Sequence, residues 1–156
     1  MTILCTGKLK EKFYLDAAAE YVKRLSRFCK LEIIELPEER LPEDPSPAQI
    51  EAALSKEADA VRAKLPNGCL VIAMCVEGRE RSSEELARYL ADSAAQGASH
   101  IVFLIGSSFG MHESLKRQAA LRLSMSPMTF PHHLARVMVL EQIYRCLLYT
   151  SDSADD

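Results

Sequence analysis

Residues 69–76, CLVIAMCV, decide the fold class of this 156-residue chain. All eight residues are apolar, and the turn-forming triplet PNG comes immediately before them. A run without a polar side is typical of a strand that is buried on both faces of a parallel sheet. The segment therefore predicts an α/β protein with a mostly parallel sheet and helices on both faces.

The sequence on either side of this strand alternates between strand and helix patterns. The other predicted strands are TILCT (2–6), LEIIEL (31–36), HIVFLI (100–105) and LRLSM (121–125). The predicted helices cover 11–29, 48–65, 82–96 and 113–120, and a last one starts at His133. The proline-rich segment 36–47 sustains neither element and predicts an exposed loop. The length fits one domain.

Composition excludes several classes of protein. The longest apolar runs are too short to span a bilayer, and the N-terminus has the reverse of a secretory signal's charge order, so we expect a cytoplasmic protein with no membrane contact. Five cysteines without a C-x-x-C pair indicate reduced thiols and no metal site. The net charge of −3 argues against a nucleic-acid coat protein but permits a local basic patch.

Three loops follow the predicted strands at the edge where parallel sheets bind ligands: 75–78, 106–110 and 125–131. The second loop, GSSFG, lacks the glycine and lysine pattern of a phosphate loop. On its own it fits equally well a simple turn in which Gly106 and Gly110 adopt unusual backbone angles.

The segment after the last predicted strand contains the candidate polar groups. His132 and His133 are adjacent, which is not a metal-ligand spacing on a helix, and they also fit as ordinary helix-start residues. Arg136 and Arg145 lie nine residues apart, on opposite sides of an ideal helix. Glu141 can simply pair with Arg145 four residues later.

A basic group of residues surrounds the first loop and helix: Lys8, Lys10, Lys12, Lys23, Arg24 and Arg27. A solvated helix face explains most of these charges. Contact with RNA phosphates explains the same residues, so both interpretations stay open.

Five segments together resemble one known family. They are GKLKEKFY (7–14), EYVKRLSRFCKLEIIELPEE (20–39), GRERSSEELA (78–87), FLIGSSFG (103–110) and LSMSPMTFPHHLARVMVLEQIYR (123–145). In register over residues 3–145, they resemble the bacterial rRNA large-subunit methyltransferase H family of the SPOUT class. The resemblance implies methyl transfer from S-adenosylmethionine to N3 of a pseudouridine in 23S rRNA of the assembled ribosome. It also implies a homodimer and a C-terminal trefoil knot.

Carried over by position, the resemblance implies a cofactor pocket and a catalytic group. The implied cofactor residues are Met74, Gly106, Met125, Ser126, Pro127, Met128, Thr129 and Phe130. The implied catalytic candidates are His132, Arg136 and Arg145. The chain departs from the family at Cys75, where an acidic residue is usual, and at Ser107, where a second glycine is usual.

The end of the chain also departs from the family. After Arg145 the composition becomes β-prone and then acidic, and the family's Tyr-His pair and basic residue are missing. The hexapeptide CLLYTS matches the translation of a transposon end used in sequencing-library preparation. We therefore expect one methyltransferase domain over 1–145 and an atypical, non-native tail over 146–156.

Two functions follow from this pattern, and a third is less well supported. The first is an active rRNA pseudouridine methyltransferase. The second is a catalytically impaired, cofactor-binding knotted dimer that has lost its RNA-engaging C-terminus. The third is a non-enzymatic nucleotide- or RNA-binding module, which the cofactor loops fit less well.

Overall fold

The computed structural model describes the backbone of residues 1–155 and the side chains of residues 1–151. Strands and helices alternate along this part of the chain, as the sequence predicts. The strands are β1 (Thr2–Thr6), β2 (Glu32–Leu36), β3 (Leu70–Glu80), β4 (Ile101–Ile105) and β5 (Leu121–Ser124). The helices are α1 (Lys12–Leu25), α2 (Pro47–Lys64), α3 (Ser83–Ala95), α4 (Glu113–Gln118) and α5 (His132–Asp155).

The five strands form one sheet in the order β2-β1-β4-β3-β5, and every described pairing is parallel. β3 lies between β4 and β5, which agrees with its apolar character on both faces. The α/β fold class with a parallel sheet is confirmed. The strand order does not test the trefoil knot, which stays a prediction.

Helices cover both faces of the sheet. On one face, α1, α3 and α5 pack around a core that includes Ile3, Phe103 and Leu140. On the other face, α2 and α4 pack around a core that includes Leu4 and Leu104. Because β1, β3 and β4 contribute alternate residues to the two cores, their buried segments are apolar on both faces.

The third strand is longer than predicted. Its pairing with β5 shifts between Met74 and Arg79, so the strand continues past Val76 to Glu80. A Cβ atom at Gly78 would lie 2.8 Å from the Arg122 carbonyl carbon, so only glycine fits at this irregularity. The sequence pattern did not predict this extension, because the polar residues after Val76 interrupt the apolar run.

The helix starts follow their capping residues. Ser82 and Glu85 form the predicted capping box at α3, with the Glu85 amide donating to Ser82 Oγ at 3.1 Å. A second capping box, between Ser46 and Gln49, starts α2. Sequence analysis missed it because Gln49 stands in a proline-rich context.

The last helix corrects the expectation that the chain becomes β-prone from Cys146. α5 is continuous from His132 to Asp155. Cys146 is 1% exposed, and its thiol donates to the Ser83 carbonyl at 3.7 Å. Leu147 also packs against the core of this face. Helical packing against α3 therefore overrides the local β propensity. The domain boundary at 145 and the non-native tail stay predictions.

Arg136 anchors α5 to the sheet. Its side chain is 2% exposed and forms an ion pair with the Glu35 carboxylate at the end of β2. Its second terminal nitrogen donates to the Gly7 carbonyl, just beyond β1, at 2.9 Å. Burial alone would raise the pKa of Glu35, but the hydrogen bonds from Arg136 and the Leu9 amide hold it below its ordinary value. Glu35 therefore stays charged beside the guanidinium.

We expect Arg136→Leu to destabilise the protein strongly, because it leaves the Glu35 carboxylate without its cation. Loss of one partner of a buried pair costs about 3–5 kcal/mol, and the partial exposure of Glu35 favours the lower value. The matched control is Arg145→Leu on the same helix, whose exposed pair with Glu141 contributes little. Urea denaturation measures both variants. Equal losses would show that Arg136 does not anchor the helix.

Candidate functional site

A cavity of about 650 Å³ lies beside the irregular part of β3 and the ends of β4 and β5. Two of the three predicted loops, 106–110 and 125–131, form its walls together with the start of α5. The third predicted loop, 75–78, is wrong, because these residues continue β3, and Met74 to Glu77 line the cavity from within that strand. Of the predicted cofactor residues, Met74, Gly106, Met125, Ser126, Met128, Thr129 and Phe130 line it. Pro127 belongs to the same loop and is exposed, but it does not line the cavity. The topology therefore brings together residues that lie up to 56 positions apart in sequence.

The glycine loop, residues 106–110, is shaped by its own backbone. A Cβ atom at Gly106 would lie 2.6 Å from the Gly110 carbonyl carbon and closer still to its oxygen. The Gly110 amide donates to the Ser107 carbonyl at 2.8 Å, and Gly110 has a φ of +89°. Sequence analysis assigned unusual backbone angles to both glycines, but only Gly110 has one. Gly106 is required for the close approach of the chain to itself.

A buried carboxylate ties this loop to α2. Glu57 is 7% exposed and accepts a hydrogen bond from the Ser107 hydroxyl at 2.8 Å. Its other oxygen accepts from the Glu39 amide at 2.8 Å. The neighbouring Ser108 amide donates to Glu38 at 3.0 Å. The hydroxyl of Ser107 therefore supports the loop by tying it to α2.

Glu57 was missed by sequence analysis, although the sequence contains a signal for it. The residue stands four positions after Ala53 and four before Val61, within the apolar stripe of a predicted helix. A lone carboxylate on a buried helix face needs hydrogen-bond donors from elsewhere in the fold. Which donors it meets depends on the tertiary structure.

A second carboxylate, Glu77, lies in the cavity wall and pairs with Lys116 of α4. The hydrogen bond from Lys116 keeps the pKa of Glu77 below its ordinary value, so the carboxyl is charged. Cys75 lines the same wall; burial first, and then the Glu77 charge, raise the pKa of its thiol. The wall thus retains a carboxylate although Cys75 replaces the family's acidic residue.

His132 stands between this cavity and a second cavity of about 480 Å³ and lines both. Its Nε2 atom is buried without a hydrogen-bond partner among the described residues. Burial, followed by the nearby His133, lowers the pKa of His132 below its ordinary value of 6.5. The imidazole is therefore neutral at pH 7 and can accept a proton.

The other two catalytic candidates lie elsewhere. Arg136 lines neither cavity, because its guanidinium is engaged with Glu35 and Gly7. Arg145 is exposed two and a half turns further along α5, with its Nε donating to Glu141 at 3.0 Å. The predicted alternative for Glu141, an intrahelical pair with Arg145, is what the structure contains.

Across the described residues, no three His, Cys, Asp or Glu side chains converge as metal ligands would. No helix within that part of the chain is long and apolar enough to cross a bilayer.

The parallel α/β sheet with its cavity agrees with the SPOUT-type architecture that the sequence resemblance implies. The family described as "Predicted SPOUT methyltransferase" matches residues 1–152, and the chain belongs to this family.

Within that family, the chain is similar to proteins named ribosomal RNA large subunit methyltransferase H. The relative from Streptococcus uberis is 44% identical over 151 residues, covering 97% of this chain and 95% of that protein. The relative from Acetivibrio thermocellus is 45% identical over 145 residues, covering 93% and 91% respectively.

Solved structures resemble the chain at the level of the fold. A putative methylase family protein from Neisseria gonorrhoeae has a TM-score of 0.54 and 15% identity, over 92% of this chain and 81% of that one. A probable methylase family protein from Haemophilus influenzae has a TM-score of 0.54 and 14% identity, over 97% and 67%. These likenesses support the α/β architecture.

We expect Ser107→Ala to destabilise the protein, because it removes a buried donor to the Glu57 carboxylate. Hydrogen bonds to charged groups contribute about 1.5–3 kcal/mol. Ser108→Ala is the matched control, since Ser108 reaches Glu38 through its backbone amide, which alanine retains. Denaturation at pH 7 compares them. Equal stability of the two variants would contradict the role of the hydroxyl.

We expect Glu57→Gln to change the pH dependence of stability. Burial raises the pKa of Glu57. The contribution of this carboxyl to the free energy of unfolding is therefore complete below pH 4.5 and is lost as pH rises through the raised pKa. In the variant, the side-chain amide oxygen can accept from the Glu39 backbone amide, and the side-chain amide nitrogen can donate to the Ser107 hydroxyl oxygen. The Ser107 hydroxyl can then donate to the Gly110 carbonyl, 3.3 Å away. The variant should lack the decline, measured by denaturation from pH 4 to 8. An identical decline in both proteins would contradict this assignment.

Proposed function

We propose that this chain transfers a methyl group from S-adenosylmethionine to N3 of a pseudouridine in 23S rRNA of the assembled ribosome, in the cytoplasm and as a homodimer. The observation that supports the proposal most directly is the cavity beside the irregular part of β3 and the ends of β4 and β5, in a chain of the SPOUT methyltransferase family. The names of the relatives supply the class of substrate.

The residues of the cavity fit such a cofactor. A volume of about 650 Å³ suits a nucleoside with an amino-acid side chain. Met74, Met125 and Phe130 offer apolar walls for the adenine and the thioether carbons. The loop backbones at Gly106 and Ser126 can offer amides and carbonyls to the polar groups. S-Adenosylmethionine, when bound, supplies a methyl group already activated on a sulfonium.

The protein's own residues then have two tasks. The loop backbones hold the reacting atoms in line, about 3 Å apart, which is the larger part of the rate enhancement. His132 accepts the N3 proton as the acceptor nitrogen forms its new bond, because its imidazole is neutral and its Nε2 has no other partner among the described residues. A weakly acidic imide N–H requires only such a modest base.

The two arginines take different roles in this proposal. Arg136 is a positioning residue, since it holds the start of α5, and so His132, against the ends of β1 and β2. Arg145 is the exposed candidate for an RNA phosphate, which would compete with Glu141 for its guanidinium.

The test is incorporation of labelled methyl groups into large ribosomal subunits that lack the modification. We expect His132→Gln to lower kcat by about 10²–10⁴-fold with unchanged cofactor affinity, because proton transfer is lost and binding is not. His100→Gln, at a histidine that lines neither cavity, is the matched control and should retain most activity. Equal effects of the two substitutions would exclude His132 as the base.

The pH profile gives a second readout of the same assay. Because the pKa of His132 is lowered, the fall of the wild-type rate toward acid pH should have its midpoint below pH 6.5. Calorimetric binding of S-adenosylmethionine without methylation of any subunit would instead indicate the impaired cofactor-binding dimer. Replacing residues 146–156 by a family-type ending then tests whether the tail is responsible.

A further inference from the structure

The second cavity lies beside the cofactor cavity, at the ends of β1 and β2. Its walls include Gly7, Leu36 and Pro37, and its volume is about 480 Å³. The two cavities share His132 and Ser108 as wall residues. A ligand in one cavity therefore lies against the same histidine as a ligand in the other.

The charged groups of the second cavity are unequally engaged. Glu35 is paired with Arg136, and Glu38 accepts the Ser108 amide. The ammonium groups of Lys8 and Lys10, by contrast, form no hydrogen bond or close ion pair with another described residue, although the charge of Lys8 helps to lower the pKa of Glu35. The two carboxylates already have protein donors, whereas the two cations remain available to an incoming anion.

The wall groups also suit the edge of a nucleobase. Glu38 is a hydrogen-bond acceptor with one oxygen in use, the two lysines are donors, and the orphaned Nε2 of His132 can accept. A uracil-type ring presents an imide N–H between two carbonyls, and this edge needs both acceptors and donors. The volume lies within the range of small-ligand sites.

Geometry links this cavity to the reaction. Methyl transfer requires the acceptor nitrogen about 3 Å from the methyl carbon, so the acceptor must enter from a space adjoining the cofactor cavity. We propose that the second cavity receives the acceptor nucleotide of the RNA, with its base against His132 and its flanking phosphates at Lys8 and Lys10. This inference rests on the proposed function, because it takes the first cavity as the methyl-donor site.

The first arm of the test is kinetic. In the methylation assay, Lys8→Gln/Lys10→Gln should raise KM for ribosomal subunits about tenfold or more, change kcat by less than about twofold, and leave S-adenosylmethionine affinity unchanged. It should also weaken the salt dependence of binding, since each lost phosphate contact lowers the slope by about 0.7–0.9. The matched control is Lys56→Gln/Lys64→Gln, which removes the same charge from exposed positions of α2 that line neither cavity.

The second arm locates the RNA. A photo-crosslinking benzoylphenylalanine at Pro37, an exposed wall residue, should mark the methylated nucleotide or its neighbours, read as reverse-transcription stops. The same probe at Phe28, which lines neither cavity, should not.

The outcomes separate this proposal from the proposed function. An inactive wild-type chain refutes the proposed function, on which this inference rests. An active wild-type chain in which the Lys8 and Lys10 variant behaves like its control, or in which the Pro37 crosslink falls elsewhere, refutes the nucleotide site alone. A raised KM with a crosslink at the methylated position supports it.

Discussion

The structure depends on one buried cation. Arg136 reaches from α5 into the space where β1 and β2 end, and both of its partners there come from the sheet. A guanidinium in such a place is tolerated only because a carboxylate and a carbonyl oxygen meet it. Since α5 begins four residues earlier, the same contacts determine where His132 stands. The first turn of this helix therefore contributes to the walls of both cavities.

The cofactor cavity is shaped as much by contacts outside it as by its lining. Glu57 lies on α2, yet its two oxygens fix the glycine loop on one side and the Glu39 amide on the other. Gly106 allows the chain to pass close to Gly110, which closes the loop on itself. These contacts mean that the site is preorganised by the α2 face of the sheet, whereas His132 is held by the opposite, α5 face.

The sequence predicts the elements better than their connections. The apolar run at 69–76 and the capping box at Ser82 are local signals, so the strand and the helix start follow from short-range chemistry. The rule for parallel strand ends also selected the three segments that line the cavity, although one of them, 75–78, is a continuation of β3 and not a loop. The engagement of Arg136 with Glu35 could not be predicted, because a pair separated by 101 residues leaves no periodic signal. The β-prone composition after Arg145 was misleading for a related reason: burial of Cys146 against α3 decides the helix there.

The strand order also governs how the chain can fold during synthesis. β1 and β2 emerge early and can pair, but the second edge of β1 joins β4, whose residues come about 100 positions later. At roughly 5–20 residues per second, the ribosome leaves that edge open for about 5–20 seconds. An unpaired apolar edge is a template for association with other chains. Nascent chains of this protein therefore expose an unpaired edge of β1 for a defined interval, which ends when β4, the middle strand of the sheet, has been synthesised.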